Sequence, residues 1–286
     1  QKSLELLLVA DPFDEDSVLE LIDLYCKKGS APRAMSFFRD YRNRLKNEMG
    51  LEPSSRAEDL FKRMLLTPHV DGETVENLER FFHGRQEEQN LILNRIGKQG
   101  RQTLVFFIDG EPGVGKTSLV NRKVNILDGE KSRLFSSISY EAGMDYPYSS
   151  WNNLVSPAGS YAESLQIDIS DMNMSLLAGV FPNFLSDRHL SYNADLVKVS
   201  ERTPIVIGRS VSSLVAKVSQ GRRPLILMED LQWFDAQSHH MIETFLSTIK
   251  IPSVVFLTSR PEKSEYVLRK LSRLEEVMER SVTAAR

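Results

Sequence analysis

The residues of this 286-residue chain best suited to chemistry form a glycine-rich stretch that follows an apolar run. The run at residues 104–108 ends at Asp109, and residues 110–117 (GEPGVGKT) fit the pattern G-x-x-x-x-G-K-[ST]. Glycines let such a loop bring backbone N–H groups against phosphate oxygens, and the following helix adds the partial positive charge of its N-terminus. A glycine-rich turn without a ligand is the alternative. The apolar strand before it and the helical pattern after it favour a site for a nucleoside triphosphate.

Individual residues of this loop have predicted roles. The Lys116 ammonium would contact the β- and γ-phosphates, and the Thr117 hydroxyl would bind Mg²⁺. The residues predicted to bind the nucleotide are Gly110, Glu111, Pro112, Gly113, Val114, Gly115, Lys116, Thr117 and Ser118.

An acidic motif follows a second apolar run. The run at residues 224–228 ends in Glu229 and Asp230, and ligands bind at the carboxyl edge of parallel α/β sheets. Beside a phosphate-binding loop, Glu229 would hold Mg²⁺ and Asp230 would activate the attacking water. The alternative is an acidic turn at the end of a strand. Trp233 and Asp235 fit the ordinary roles of a packing anchor and a helix N-cap.

Composition and charge restrict the function classes. Hydrophobic residues make up 41% and charged residues 26% of the chain, as in soluble globular proteins. The net charge of −3 offers no global reason to bind nucleic acid or a membrane. No apolar run reaches the ~18–20 residues of a membrane span. The presence of a single cysteine fits a protein of the reducing cytoplasm. The single cysteine, Cys26, is predicted to be a packing residue.

Helical periodicity predicts an all-α module over residues 1–66. After the Asp11-Pro12 break, one helix extends to about Lys28, a second is stopped by Gly50, and a third begins after Pro53. The alternatives are an ordinary helical hairpin and a tetratricopeptide unit. The spacing typical of that unit is seen at Leu21, Tyr25, Gly29, Ala34 and Phe38.

Residues 6–65 resemble the C-terminal half of a bacterial transcriptional activator domain. The resemblance rests on the Asp11-Pro12 break, the long second helix and the joint at residues 49–54 (MGLEPS). In that family the helical module follows a winged-helix DNA-binding domain. The resemblance therefore implies that DNA is contacted only through a segment ahead of residue 1. Protein partners or self-association are expected at the surfaces of the helical repeat and of the nucleotide-binding (ATPase) part of the chain that follows it.

The acid-acid-Leu-x-Trp-x-Asp motif at residues 229–235 resembles the Walker B segment of STAND-class, AAA-type signal-transduction ATPases. The resemblance implies ATP and Mg²⁺ as cofactors and a strand lying between the two Walker strands. It also implies that Gly84 and Arg85 lie near the adenine. Arg260, after the apolar run at residues 252–259, would sense the γ-phosphate, with a surface ion pair as the alternative. Many members carry two aspartates, so Glu229 bears on the rate of hydrolysis.

These observations predict an α/β P-loop NTPase core, three-layered with a mainly parallel sheet, preceded by a tetratricopeptide-like module. The predicted domains are residues 1–66, a linker at 67–80, and an ATPase domain at 81–286 that ends before any lid. The expected function is a fragment of an ATP-dependent transcriptional regulator that Mg-ATP binding and hydrolysis switch. The alternatives are a nucleotide-binding scaffold with little hydrolysis and a small-substrate kinase. The predicted catalytic residues are Glu229, Asp230 and Arg260, and the predicted metal ligands are Thr117 and Glu229.

Overall fold

The computed structural model describes residues 4, 8, 11–27, 31–66, 86–98, 100, 103–117, 119, 120, 127, 131–170, 174–181, 184 and 203–270. Several sequence predictions lie outside these residues and stay predictions. They concern the linker at 67–80, the placement of Gly84 and Arg85 near the adenine, and Ser118 of the phosphate loop. Within the described part, no helix is long and apolar enough to cross a membrane.

Three helices form the N-terminal module. Helix α1 spans Glu15–Lys27, α2 spans Ala31–Arg44 and continues as a π-helical turn over Leu45–Met49, and α3 spans Ser55–Leu66. Gly50 ends the second helix with a φ of 65°, a conformation that glycine adopts without steric cost. The predicted stop at this residue is confirmed.

One apolar cluster holds these helices together. The rings of Phe38 and Phe61 stack with their centroids 4.4 Å apart, and Ala34 between the helices is fully buried. Burying a large apolar side chain stabilises the fold by about 1.5–3 kcal/mol. Cys26 packs against the cluster, and burial raises the pKa of its thiol, which confirms it as a packing residue. The buried members are Val18, Leu19, Ile22, Ala34, Phe38, Tyr41, Leu45, Ala57 and Phe61.

The α/β core is built on a parallel sheet. Its strands are β1 (Leu104–Asp109), β2 (Ser132–Ile138), β3 (Arg223–Glu229) and β4 (Val254–Ser259). Their order in space is β1-β4-β3-β2, and every pairing is parallel. The two Walker strands are β1, which precedes the phosphate loop, and β3, which ends in Glu229. The strand expected between them is therefore β4. All four strands end at one edge, which collects the residues that follow them.

Helices cover both faces of this sheet. They are α4 (Gln86–Gly97), α5 (Asn152–Ser164), α6 (Met174–Val180), α7 (Thr203–Ser219), α8 (Ala236–Thr248) and α9 (Pro261–Lys270). Alternate residues of a strand face opposite sides. Val105 and Phe107 of β1 accordingly join the cluster with α5, α7 and α8, whereas Phe106 and Ile108 join a second cluster with α4.

Two sequence expectations for the core had different outcomes. The sequence predicts an amphipathic helix with Leu91, Ile92 and Ile96 on its apolar side. On α4, Ile92 and Ile96 are buried but Leu91 is 47% exposed, so the prediction is wrong for Leu91. Adjacent helical residues point about 100° apart, and the buried stripe follows Ile92 instead. The aromatic residues at 146–151 are predicted to pack in the core or at a helix start rather than to form a platform for base stacking. This is confirmed for Tyr148 and Trp151, which are 1% and 0% exposed.

Candidate nucleotide-binding site

The glycine-rich loop connects the end of β1 to a helical segment. Gly113 and Gly115 have φ values of 78° and 89°, a region that residues with a Cβ rarely adopt. At Gly110 an added Cβ would lie 2.9 Å from Val114 Cγ1, so the loop folds tightly on itself. The N–H of Leu119 donates to the Gly115 carbonyl over 2.9 Å, which starts the helix at the loop. The backbone thus has the geometry of an anion-binding site.

The Lys116 side chain is folded under this loop. It is 8% exposed, and its Nζ donates to the carbonyls of Gly110 and Glu111 over 2.6 and 3.1 Å. Burial lowers the pKa of Lys116, the Asp230 carboxylate opposes that shift, and the Arg260 guanidinium adds to it. Asp230 and Arg260 therefore both lie close enough to influence the Lys116 ammonium. An ammonium held by backbone carbonyls can exchange those acceptors for phosphate oxygens.

The two predicted metal ligands meet where β3 ends beside the loop. The Thr117 hydroxyl donates to Oε2 of Glu229 over 2.6 Å, although the two residues are far apart in sequence. Both groups offer hard oxygen ligands, which Mg²⁺ prefers. Among the described residues no group of three or more His, Cys, Asp or Glu is placed to hold a metal alone.

Asp230 has an unusual backbone conformation. Its φ of 56° and ψ of 49° are left-handed, which costs a non-glycine residue on the order of 1–3 kcal/mol. Its N–H donates to Oγ1 of Thr258 on β4 over 3.1 Å, and its carbonyl accepts from Trp233 N over 2.8 Å. The surrounding strands and turn hold the acid in a conformation that the chain would otherwise avoid.

Gln232 connects this acid to Arg260, and the sequence reasoning missed it. Gln232 is 5% exposed. Its Nε2 donates to Asp230 Oδ1 over 2.8 Å, and its Oε1 accepts from the backbone N–H of Arg260 over 3.1 Å. The Arg260 guanidinium carbon lies 5.2 Å from the centre of the Trp233 ring. The signal in the sequence was a polar residue between Leu231 and Trp233, two positions after Asp230.

The predicted N-cap at Asp235 is confirmed. Its Oδ1 accepts from Ser238 N over 2.9 Å at the start of α8, and its Oδ2 accepts from Tyr148 N over 3.1 Å. Burial raises the pKa of Asp235, against the hydrogen bonds from Ser238 and Tyr148. Trp233 is half-buried and packs under Arg260. Asp235 thus joins the turn after the acids to the region ahead of α5.

Residues 140–148, the connecting segment, join the site to the helical module. On the site side, Ser139 N donates to the Glu229 carbonyl over 3.3 Å just before the segment begins. On the module side, the Tyr146 hydroxyl donates to Glu58 over 2.6 Å, and its ring packs edge-on against Phe61. Two ion pairs add to this contact, Arg39 with Glu141 and Arg42 with Asp145.

The structure therefore brings most of the predicted site residues together at the carboxyl edge of the sheet. Around Lys116 and Thr117 it places Glu229, Asp230 and Arg260. Glu111, Pro112 and Gly113 form the exposed tip of the loop. The contact between the connecting segment and the helical module was not foreseen.

Comparison with known protein families gives two matches that follow one another along the chain. Residues 1–65 match the model of the bacterial transcriptional activator domain, and residues 82–257 match that of the AAA ATPase domain. No curated protein matches the chain. The second match covers more than half of the chain and includes the phosphate loop, both acids and β4 up to Leu257. The chain therefore belongs to the AAA ATPase domain family, with a bacterial transcriptional activator domain preceding its ATPase domain.

Proposed function

We propose that this chain is the switch of an ATP-dependent transcriptional regulator, in which Mg-ATP binding and hydrolysis change conformation. The observation that carries the proposal is the 2.6 Å hydrogen bond from Thr117 to Glu229. It joins the end of the phosphate loop to the acidic end of β3, the two places from which P-loop proteins hold a magnesium ion. We assign the core to the STAND class of signal-transduction ATPases acting in the cytoplasm.

Each residue of the site has one task in this proposal. The loop N–H groups and Lys116 bind the phosphates, and Thr117 with Glu229 holds Mg²⁺. The bound ion would neutralise charge on the β- and γ-phosphate oxygens. Asp230 accepts the proton of the attacking water, while Arg260 stabilises charge on the γ-phosphate. Gly84, Arg85 and Ser118 complete the nucleotide contacts, as the sequence predicts.

The connecting segment supports coupling between the site and the helical module. It follows Ser139, which is bonded to Glu229, and it ends at Tyr148, which is bonded to Asp235. Between these two attachments, Tyr146 contacts Glu58 of the module. A shift of residues 229–235 on hydrolysis would move the segment and change its contact with the module, as switching requires two arrangements of a packed element.

The helical module would supply the output of the switch. We propose that α1 and α2 form a tetratricopeptide-like unit, since the fully buried Ala34 lets the two helices approach closely. Its surface and the ATPase faces would take protein partners or a second copy of the chain. DNA would be contacted by a winged-helix domain ahead of this module.

A second candidate is a nucleotide-binding scaffold with little turnover. Many STAND-class ATPases carry an aspartate at this position, whereas here the longer Glu229 side chain reaches Thr117 directly. This difference from the class favours the scaffold. The two candidates agree on nucleotide binding and differ in hydrolysis.

Steady-state hydrolysis and nucleotide affinity with Mg²⁺ test the proposal. Lys116→Ala should lose ATP affinity, and Asp230→Asn should bind ATP but lose ~10²-fold or more in turnover. Matched controls are Lys27→Ala and Asp23→Asn, which remove a surface ion pair in the module and should leave both quantities unchanged. Tight ATP binding without turnover in the wild type would favour the scaffold. Absence of ATP binding would overturn both candidates.

A further inference from the structure

We propose that Gln232 is a positioning residue of the ATPase site, which fixes the Asp230 carboxylate relative to the end of β4. This inference rests on the proposed hydrolysis of ATP and assigns a residue that the two Walker motifs leave out. Gln232 touches neither phosphate nor water in this role; it acts through Asp230.

The orientation of the Gln232 amide is determined by its two partners. A carboxylate oxygen of Asp230 can only accept, so it faces the amide nitrogen over 2.8 Å. The backbone N–H of Arg260 can only donate, so it faces the amide oxygen over 3.1 Å. A flipped amide would lose both bonds. Among side chains of this length, only a glutamine offers a donor and an acceptor in this way without adding charge.

The two bonds complete a hydrogen-bonded frame around Asp230, the residue proposed to accept the proton of the attacking water. The backbone N–H of Asp230 is held by Thr258 of β4, and Gln232 ties its side chain to the residue after β4. Both the backbone and the carboxylate of Asp230 are therefore held in position by the same end of β4. The bond from Gln232 uses Oδ1, which leaves Oδ2 to accept from water.

Burial makes this frame rigid. Gln232 is 5% exposed, so losing either of its two hydrogen bonds leaves a buried atom of its own amide unsatisfied. Misplacing a group by ~1 Å can reduce a rate by ~10²-fold. The expected consequence of losing Gln232 is slower chemistry with nucleotide binding retained, because the two hydrogen bonds of the amide go to Asp230 and Arg260 and not to the phosphate loop.

The alternative is that Gln232 only satisfies the buried N–H of Arg260. That role predicts a loss of stability that does not depend on Asp230. The two roles differ in a double-mutant comparison, since residues that act as one catalytic unit give strongly non-additive effects on kcat.

The test compares Gln232→Met, which keeps the length and removes both hydrogen bonds, with Gln237→Met, the same change at a half-buried position on α8. We expect Gln232→Met to lower kcat by ~10–100-fold with KM and ADP affinity within ~3-fold, and Gln237→Met to leave kcat unchanged. In an Asp230→Asn background, Gln232→Met should lower kcat by less than ~2-fold further.

Gln232→Glu keeps the test decisive if the methionine variant does not fold. It retains an acceptor for Arg260 N and loses the donor to Asp230, so the positioning role predicts the same loss of kcat. Two results would overturn this inference alone, provided that the wild type turns over ATP. One is an unchanged kcat in both Gln232 variants. The other is an equal loss of kcat with and without the Asp230 carboxylate. Absence of turnover in the wild type would overturn it together with the proposed hydrolysis.

Discussion

The Tyr146 hydroxyl donates a 2.6 Å hydrogen bond to the Glu58 carboxylate, and this bond joins the ATPase core to the helical module. The Tyr146 ring also meets Phe61, with centroids 5.5 Å apart. Burial and the adjacent Glu58 raise the pKa of Tyr146, so the hydroxyl stays a donor throughout the physiological range. Two residues later, Tyr148 is bonded to Asp235, which places this contact close to the turn that follows Glu229 and Asp230.

Removing the hydroxyl should weaken the contact without opening a cavity. Tyr146→Phe and Glu58→Gln should show a coupling free energy of about 1–2 kcal/mol in a double-mutant cycle, since hydrogen bonds to charged groups are the stronger class. Urea denaturation measures it. As a control, Arg56→Ala breaks an exposed pair with Asp16 inside the module and should show no coupling to Tyr146→Phe. Additive effects of the first two changes would contradict the contact.

Changing Glu229 should alter the dependence on magnesium. Glu229→Gln keeps the size of the side chain but removes the charge that would hold the ion, so the half-saturating Mg²⁺ concentration at fixed ATP should rise about tenfold, equivalent to ~1.4 kcal/mol. Glu229→Asp retains the charge and should show the smaller shift. Equal Mg²⁺ dependence in the wild type and both variants would exclude Glu229 as a ligand.

The helix α5 should not tolerate a side chain at Gly159. A Cβ there would lie 2.1 Å from the Phe184 carbonyl oxygen and 2.4 Å from Phe184 Cδ2, so Gly159→Ala forces backbone or ring to move. We expect a loss of about 2–3 kcal/mol in the free energy of unfolding. Gly97→Ala is the control, because among the described residues no atom beyond its chain neighbours and its own helical backbone lies within 4 Å of the added Cβ. Similar thermal stability of the two variants would contradict the packing of α5.

The contribution of Asp235 to stability should depend on pH in a defined direction. Burial raises the pKa of Asp235 above its ordinary value of 3.8, so the folded chain binds this proton more tightly than the unfolded chain does. The stability that it contributes is complete below the ordinary pKa and declines as pH rises through the raised value. The destabilisation caused by Asp235→Ala should therefore be larger at acid pH than at neutral pH.

Asp168 supplies the matched comparison for that prediction. Hydrogen bonds from Ser170 lower the pKa of Asp168, so its contribution to stability is present above its ordinary pKa and is lost as pH falls through the lowered value. The effect of Asp168→Ala should thus grow with rising pH. Denaturation at several pH values measures both variants, and the same pH trend for the two would contradict the assignment at Asp235.

The sequence predicted those parts of the site that local patterns determine. Lys116 and Thr117 follow one apolar strand and Glu229 follows another, and parallel strands end at the same edge of a sheet, so their meeting was expected. The position of β4 between the two Walker strands was confirmed, but it came from the resemblance, since periodicity does not give the order of strands.

Other features depend on contacts that no local pattern contains. The motif at residues 229–235 assigns no role to Gln232, which bonds to Arg260 N over 3.1 Å only because the chain folds that way. Tyr146 and Glu58 are 88 residues apart, and neither stands in a recognisable motif. Leu91 shows the limit of periodicity on a short helix. Leu91 and Ile92 are adjacent and both apolar, but only Ile92 lies on the buried stripe.

Amide hydrogen exchange of residues 55–66 and 140–148 tests the central claim most directly. It compares the Asp230→Asn chain with Mg-ATP, which holds the triphosphate state, with the same chain in Mg-ADP and with Lys116→Ala in Mg-ATP. The proposed switch predicts that exchange in both segments differs between ATP and ADP, and that the ATP effect is absent in Lys116→Ala. Identical exchange in ATP and ADP, with binding of both nucleotides verified in the same samples, would contradict it.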